Sequence, residues 1–302
     1  MATLPIHRVD SSRSESIEPL GSKRKFWFRE GDLRFLFKAE DRGTGEDWAE
    51  VIASHLCGLL SLPHVEYELA AEYDEQTLLQ PGVVCANMAP PPLSLVLGNQ
   101  LLLARDAAYP TAQRFKVRQH SVDAVAEVVA SLQPPAGQWV AGVPPAIGSA
   151  LEVFAGYVML DAWIANQDRH HENWAALRDD EMRLAPTYDH GAGLARNLTD
   201  EERRERLTTR DKNRIVAAFA ERARSAFYAT PTDSRPLGTL DAFKAFGRIT
   251  PTGAAAWLDR LSKVNFDDVW AILESVPSER MSATCKEFTF NLLSINHKRI
   301  LS

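Results

Sequence analysis

The apolar positions of this 302-residue chain follow two rhythms. Between residues 151 and 164, apolar side chains at 151, 153, 154, 157, 158, 160, 163 and 164 recur at helical spacing, over an arc wide enough to predict deep burial. Closer to the start the rhythm is that of strands: Phe26 to Phe28, Leu33 to Ala39, an alternating stretch from Leu62 to Ala71, and a short run from Gly82 to Met88. A helix from Gly45 to Leu60 separates the second of these from the third. The three prolines between Ala89 and Leu93 break any regular element and predict a boundary between a strand-rich part, 1–92, and a helical part, 93–302.

In the second part, Ser121 is placed to cap a helix running to Leu132. Trp174 to Leu177 and Met182 to Ala185 predict a hairpin, and helices are expected from Pro251, from Phe266 and over 288–301. The stretch 1–17, polar and Ser-rich towards its end, predicts an early strand or a frayed terminus. Charges of both signs alternate closely from Leu198 to Arg214, the pattern of a solvated helical face.

Immediately after the buried helix the polarity changes. Asp161, Asp168, His170, His171, Glu172 and Asn173 fall within thirteen residues, followed by Asp189 in Thr187-Tyr-Asp-His-Gly191. Folding alone rarely needs so many groups that bind metal or move protons. Asp168 and Asn173 stand five positions apart, the interval between the catalytic Asp and the magnesium-binding Asn of protein kinases. With Asp189, a base, a carboxamide and a second carboxylate could converge on one divalent cation.

Upstream, the apolar run Leu33 to Ala39 carries Lys38 near its end, and a lysine directed inward from a strand is costly unless it is paired or set on a ligand. Glu46 and Glu50 share one face of the next helix. Either could pair with Lys38; were it Glu50, counted back from the helix end, Glu46 would be a solvated first-turn residue that favours the helix dipole. Leu20-Gly21-Ser22 with Lys23, Arg24 and Lys25 predicts a turn whose amides could cradle phosphates.

The stretch Asn166 to Trp174 followed by Pro186 to Asp189 resembles the catalytic and metal-binding signature of the HipA-like serine/threonine kinases. The resemblance implies an α+β, two-lobed fold akin to protein kinases and phosphoinositide kinases, with a small β-rich N-lobe and a larger helical C-lobe. It implies ATP and Mg2+ as cofactors, Asp168 as catalytic base, Asn173 and Asp189 as metal ligands, and His170 as the structural histidine. Lys38, paired with Glu50, would orient the phosphates, and Gly21 and Ser22 would cover them. The last N-lobe strand would carry the adenine contact near Cys85 and Met88. The substrate would be a protein with a Ser or Thr acceptor, with autophosphorylation and an antitoxin partner as further expectations. Asp-Phe-Gly and Ala-Pro-Glu are missing, so protein-kinase activation-loop regulation is not carried over. The family's extra N-terminal domain is not expected here, because too few residues precede Leu20.

Other readings stay open: a nucleotide-binding pseudokinase acting as a regulatory module, a kinase for a small molecule or lipid, and a metal-dependent hydrolase using His170 and His171. Composition excludes little: 45% hydrophobic and 25% charged residues are ordinary for a globular protein. A net charge of −6 argues against direct nucleic-acid or anionic-membrane binding. Cys57, Cys85 and Cys285 stand far apart in apolar surroundings and read as buried thiols of a reducing compartment. No leader pattern or spanning apolar run is read, so a cytoplasmic location is expected.

Overall fold

The computed structural model describes residues 2–18, 23–40 and 43–302. Its first sheet comprises β1 (His7–Asp10), β2 (Ser16–Ile17), β3 (Lys25–Glu30), β4 (Leu33–Ala39), β5 (Glu68–Asp74) and β6 (Thr77–Ala86), in the order β1-β5-β6-β4-β3-β2. Side chains alternate across the pleat. Phe26, Phe28, Phe37 and Val84 therefore form a small core on one face, while Lys25 and Lys38 face the other. The β3–β4 register sets Lys25 directly opposite Lys38, so two amines lie side by side on that second face.

Helix α1 (Glu46–Leu60) crosses this second face and buries Trp48, Val51, Ile52, Leu56 and Leu60. The strand expected from Leu62 begins only at Glu68. The intervening residues are extended but pair elsewhere: Thr187 N–H donates to Pro63 O at 2.9 Å, and Val65 N–H to Thr187 O at 3.0 Å. The chain thus spends those backbone groups on the segment that carries Asp189.

The remainder comprises β7 (Ser94–Leu97), α2 (Gly98–Arg105), α3 (Val122–Ala130), α4 (Ala150–Trp163), β8 (Ala175–Arg178), β9 (Met182–Leu184), α5 (Asp200–Thr208), α6 (Val216–Arg222), α7 (Thr239–Ile249), α8 (Pro251–Ser262), α9 (Phe266–Ser275) and α10 (Ala283–Leu301). The expected hairpin is β8–β9, and β7 completes a three-stranded sheet beside it. Helix α4 is the buried axis, packed on α3, α7, α8 and α10. It starts in a capping box of Ser149 and Glu152. Gly156 lets it come close to its neighbours: a Cβ there would lie 2.6 Å from Leu62 and Trp257.

The closing helix begins at Ala283 rather than Phe288, because the Ser282 hydroxyl accepts the Cys285 N–H at 3.0 Å and caps it earlier. The solvated-face reading of 198–214 needs one correction. Arg203 is buried, held by Asp200 at 3.0 Å and by the Arg196 carbonyl at 3.1 Å. The three cysteines are buried and free. Near the C-terminal end, Arg280 reaches back to the first sheet, binding Asp47 of α1 at 2.6 Å and the Ala70 carbonyl at 2.8 Å.

Candidate active site

Helix α4 ends at Trp163, and Ala165 turns the chain through a left-handed conformation (φ 53°) into the polar loop. A buried ion pair fixes that loop. Arg169 forks onto Asp161 with Nε–Oδ2 2.6 Å and Nη2–Oδ1 2.7 Å, and its Nη1 donates to Thr187 Oγ1 at 2.8 Å and to the Asn173 carbonyl at 3.1 Å. Desolvating such a charge is costly unless its donors are used. Here they are, and one guanidinium ties together the helix, the loop and the strand that leads to Asp189. Sequence reasoning singled out Asp161 and missed Arg169, because no local rule pairs residues eight apart across a helix end.

The Asn173 carboxamide donates from Nδ2 to the Asp168 carbonyl at 2.6 Å, and its Oδ1 has no hydrogen-bond partner among the described residues. The Asp168 side chain opens onto a cleft of about 620 Å³ between the sheet and the helical part. Burial and the neighbouring Asp189 carboxylate push its carboxyl up to about 6.

Across the cleft, Lys38 Nζ binds Glu50 Oε1 at 2.6 Å and Asp189 Oδ1 at 2.8 Å. Burial opposes the Lys38 charge, but the two carboxylates hold its ammonium well above the usual lysine range. Burial likewise opposes the Asp189 charge, yet Lys38 and Lys25 hold that carboxyl well below the usual range. Glu50 also accepts the His190 N–H at 2.7 Å, so one buried glutamate positions both the strand lysine and the residue after Asp189. Asp189 has φ 60°, a left-handed backbone that an Asp tolerates better than most residues.

Glu46 is not the solvated residue expected. It pairs with Lys23 and with Arg196 Nη2 (2.5 Å) and lines the cleft, because the chain after Asp189 folds back over the start of α1. Arg114, from the loop before α3, lies against Glu172 at 3.5 Å and also lines the cleft. The half-buried Lys25 ammonium also lines the cleft, without a side-chain hydrogen bond or ion pair among the described residues, and burial together with the Lys38 charge lowers its pKa. The sequence offered no signal for Arg114; for Lys25 the signal was its register with Lys38.

Other expected residues lie elsewhere. His170 sits beneath Asp168, 3.8 Å from its Oδ1, with Arg114 Nε at 2.9 Å from Nε2 and the Glu172 amide at 3.1 Å from Nδ1. Burial and the Arg114 charge lower it to about 3 and keep it neutral. Cys85 is paired in β6 opposite Leu36 and lines another cavity, of about 550 Å³, while Met88 packs on the main core; the structure does not bring either into the Lys38 cleft. Gly21 and Ser22 lie outside the described residues.

Among the described residues no group of three or more His, Cys, Asp and Glu side chains is arranged to hold a metal. The imidazoles of His170 and His171 are engaged by Arg114 and Tyr109, so the zinc-type set of the hydrolase reading is not assembled. The available donors, a carboxylate at Asp189 and the unbonded carboxamide oxygen of Asn173, are hard oxygens. They suit magnesium, which uses few protein ligands and keeps waters.

The sequence matches no family model and no curated protein. Solved structures do resemble it. The Helicobacter pylori proinflammatory kinase CtkA superposes with a TM-score of 0.67 at 18% identity, covering 97% of this chain and 95% of that one. The HipA toxin of Shewanella oneidensis MR-1, solved with HipB and its operator DNA, superposes with a TM-score of 0.54 at 10% identity, covering 95% of this chain and 67% of that one. The chain therefore has the two-lobed, kinase-like α+β fold of CtkA and HipA.

Proposed function

We propose that the protein is an ATP- and magnesium-dependent serine/threonine protein kinase of the HipA-like type. The observation that carries this reading is Lys38 Nζ in contact with both Glu50 and Asp189 on the wall of the cleft onto which Asp168 opens. Magnesium-bound ATP would supply the phosphoryl group and neutralise the charge that develops on it. Lys38 holds the α- and β-phosphates, and Asn173 and Asp189 hold the metal. Asp168 orients the acceptor hydroxyl and takes its proton, a task suited to a carboxyl raised towards neutrality. His170 supports the loop from beneath, and Gly21 and Ser22 are the residues this reading assigns to the phosphates.

The HipA structure contains a partner, HipB, and operator DNA, which favours an antitoxin partner here as well. With a charge of −6, any DNA contact falls to that partner rather than to this chain. Among the described residues no helix is long and apolar enough to cross a membrane, in keeping with a cytoplasmic kinase. Autophosphorylation in the phosphate turn, at Ser22, belongs to the same reading.

The test is transfer of label from γ-labelled ATP with magnesium, into the protein itself and into a cell lysate, comparing wild type with Asp168→Asn and Asp189→Asn. Label that is lost in both variants supports the kinase. Nucleotide binding without label transfer sinks catalysis and leaves a nucleotide-gated binding module.

A further inference from the structure

A separate cavity of about 390 Å³ meets the cleft at Asp168, and Arg114, Phe115, Gln167 and Asp168 line both. Its size falls within the ~300–1,000 Å³ of ligand sites. Its wall joins apolar surface from Val117, Ala226, Tyr228, Pro236 and Phe115, a residue 59% exposed, to the polar groups of Lys116, Ser225 and the histidines. Phe115 thus stands open beside the Asp168 carboxylate, at the mouth shared by the cavity and the cleft.

Behind the cavity wall His171 carries a polar atom without a partner. It is 1% exposed, its Nδ1 is bound to Tyr109 Oη at 2.7 Å, and its Nε2 is buried with no hydrogen-bond partner. The neighbouring His120, which also lines the cavity, is fully used: Nδ1 lies 3.1 Å from the Ala226 carbonyl, and Nε2 accepts from Trp174 Nε1 at 3.1 Å. A buried polar atom without a partner is costly, and an occupant with a polar tip relieves that cost. Tyrosine and tryptophan combine a large apolar body with such a tip.

Resting on the phosphotransferase reading, we propose that this cavity is the acceptor-side specificity pocket, receiving a tyrosine or tryptophan side chain that flanks the Ser or Thr acceptor of a protein substrate. The acceptor hydroxyl lies at Asp168, and the flanking ring enters between Phe115 and Pro236 towards His171.

The experiment uses the full chain, magnesium-ATP and a peptide library with one central Ser or Thr and randomised flanks. At one flanking position, Tyr or Trp is selected over Ala by about tenfold or more, the discrimination an apolar pocket supplies. Filling the pocket with Ala226→Trp, or more mildly with Ala226→Leu, raises KM for the selected peptide by about tenfold. KM for the Ala-flanked peptide, ATP hydrolysis and autophosphorylation stay unchanged, which also establishes that each variant is folded. Flat selection at every flank, an unchanged KM for the selected peptide in both variants, or autophosphorylation with no labelling of any peptide overturns the pocket and leaves the kinase standing. Wild-type protein that neither hydrolyses ATP nor labels itself overturns the kinase reading, and the pocket with it.

Discussion

Arg169 and Asp161 meet through two parallel hydrogen bonds of 2.6 and 2.7 Å in a site closed to solvent, at the point where the buried helix gives way to the polar loop. Removing one partner leaves the other charged and buried. Asp161→Asn is therefore expected to cost about 3–5 kcal/mol in urea unfolding. Retention of wild-type stability would mean that the loop is held by its backbone alone.

Asp168 sets a pH dependence. Its carboxyl is raised to about 6, so below that value the proposed base is protonated, and kcat/KM should fall about tenfold per pH unit on the acid side. The stability sign is the opposite. A carboxyl raised in the folded state favours folding when protonated, and that contribution is lost as pH rises through about 6. Asp168→Asn should therefore raise Tm at pH 7.5 while abolishing phosphate transfer, with the gain in Tm shrinking below pH 6. A Tm lowered at both pH values would contradict this electrostatic account.

Lys38 and Glu50 should be thermodynamically coupled. In a double-mutant cycle of Lys38→Met and Glu50→Gln followed by unfolding, an interaction energy of about 1–3 kcal/mol is expected. Lys38→Met takes the ammonium from Glu50 and Asp189 alike, and Glu50→Gln leaves Lys38 on Asp189 alone, whereas the double variant has lost both charged partners of the Lys38–Glu50 contact. Strict additivity would show that Asp189 alone accounts for the position of the lysine.

Gly156 allows α4 to lie against Leu62 and Trp257. Gly156→Ala inserts a methyl 2.6 Å from both, and overpacking of this kind costs about 1–3 kcal/mol. Guanidinium unfolding measures it; a stabilising outcome would mean that the neighbours relax and the gain in helix propensity prevails.

Lys38, Glu50 and the hairpin after Asn173 were legible in the sequence because each follows from local rhythm: a strand that ends on a lysine, a helix with one acidic face, two short alternating runs. The kinase-like fold was legible through the loop motif. Three things were not. The use of residues 62–67 as a partner for Thr187 was hidden, because an alternating pattern does not say which chain it pairs with. The pairing of Glu46 with Lys23 and Arg196 depends on how the chain after Asp189 folds back, which no spacing encodes. Helix α6, Val216–Arg222, is too short to show a period, and packing against α10 makes it helical; α7, with Ala242, Phe243 and Phe246 buried at helical spacing, carried its signal in the sequence and was missed.

Helix α1 serves two masters: one side packs on β5 and β6, and it also reaches α8 and α9, with Arg280 pinning its first turn from the far end of the chain. The strand-rich half is therefore not a cassette that can be excised or transplanted. Cut at the proline-rich segment after Met88, each piece would expose its share of the core that α1 joins to the helices. Coexpressed, the two pieces should recover a folded protein only by finding one another, so the break that looks like a domain boundary in the sequence is better suited to fragment complementation than to domain dissection.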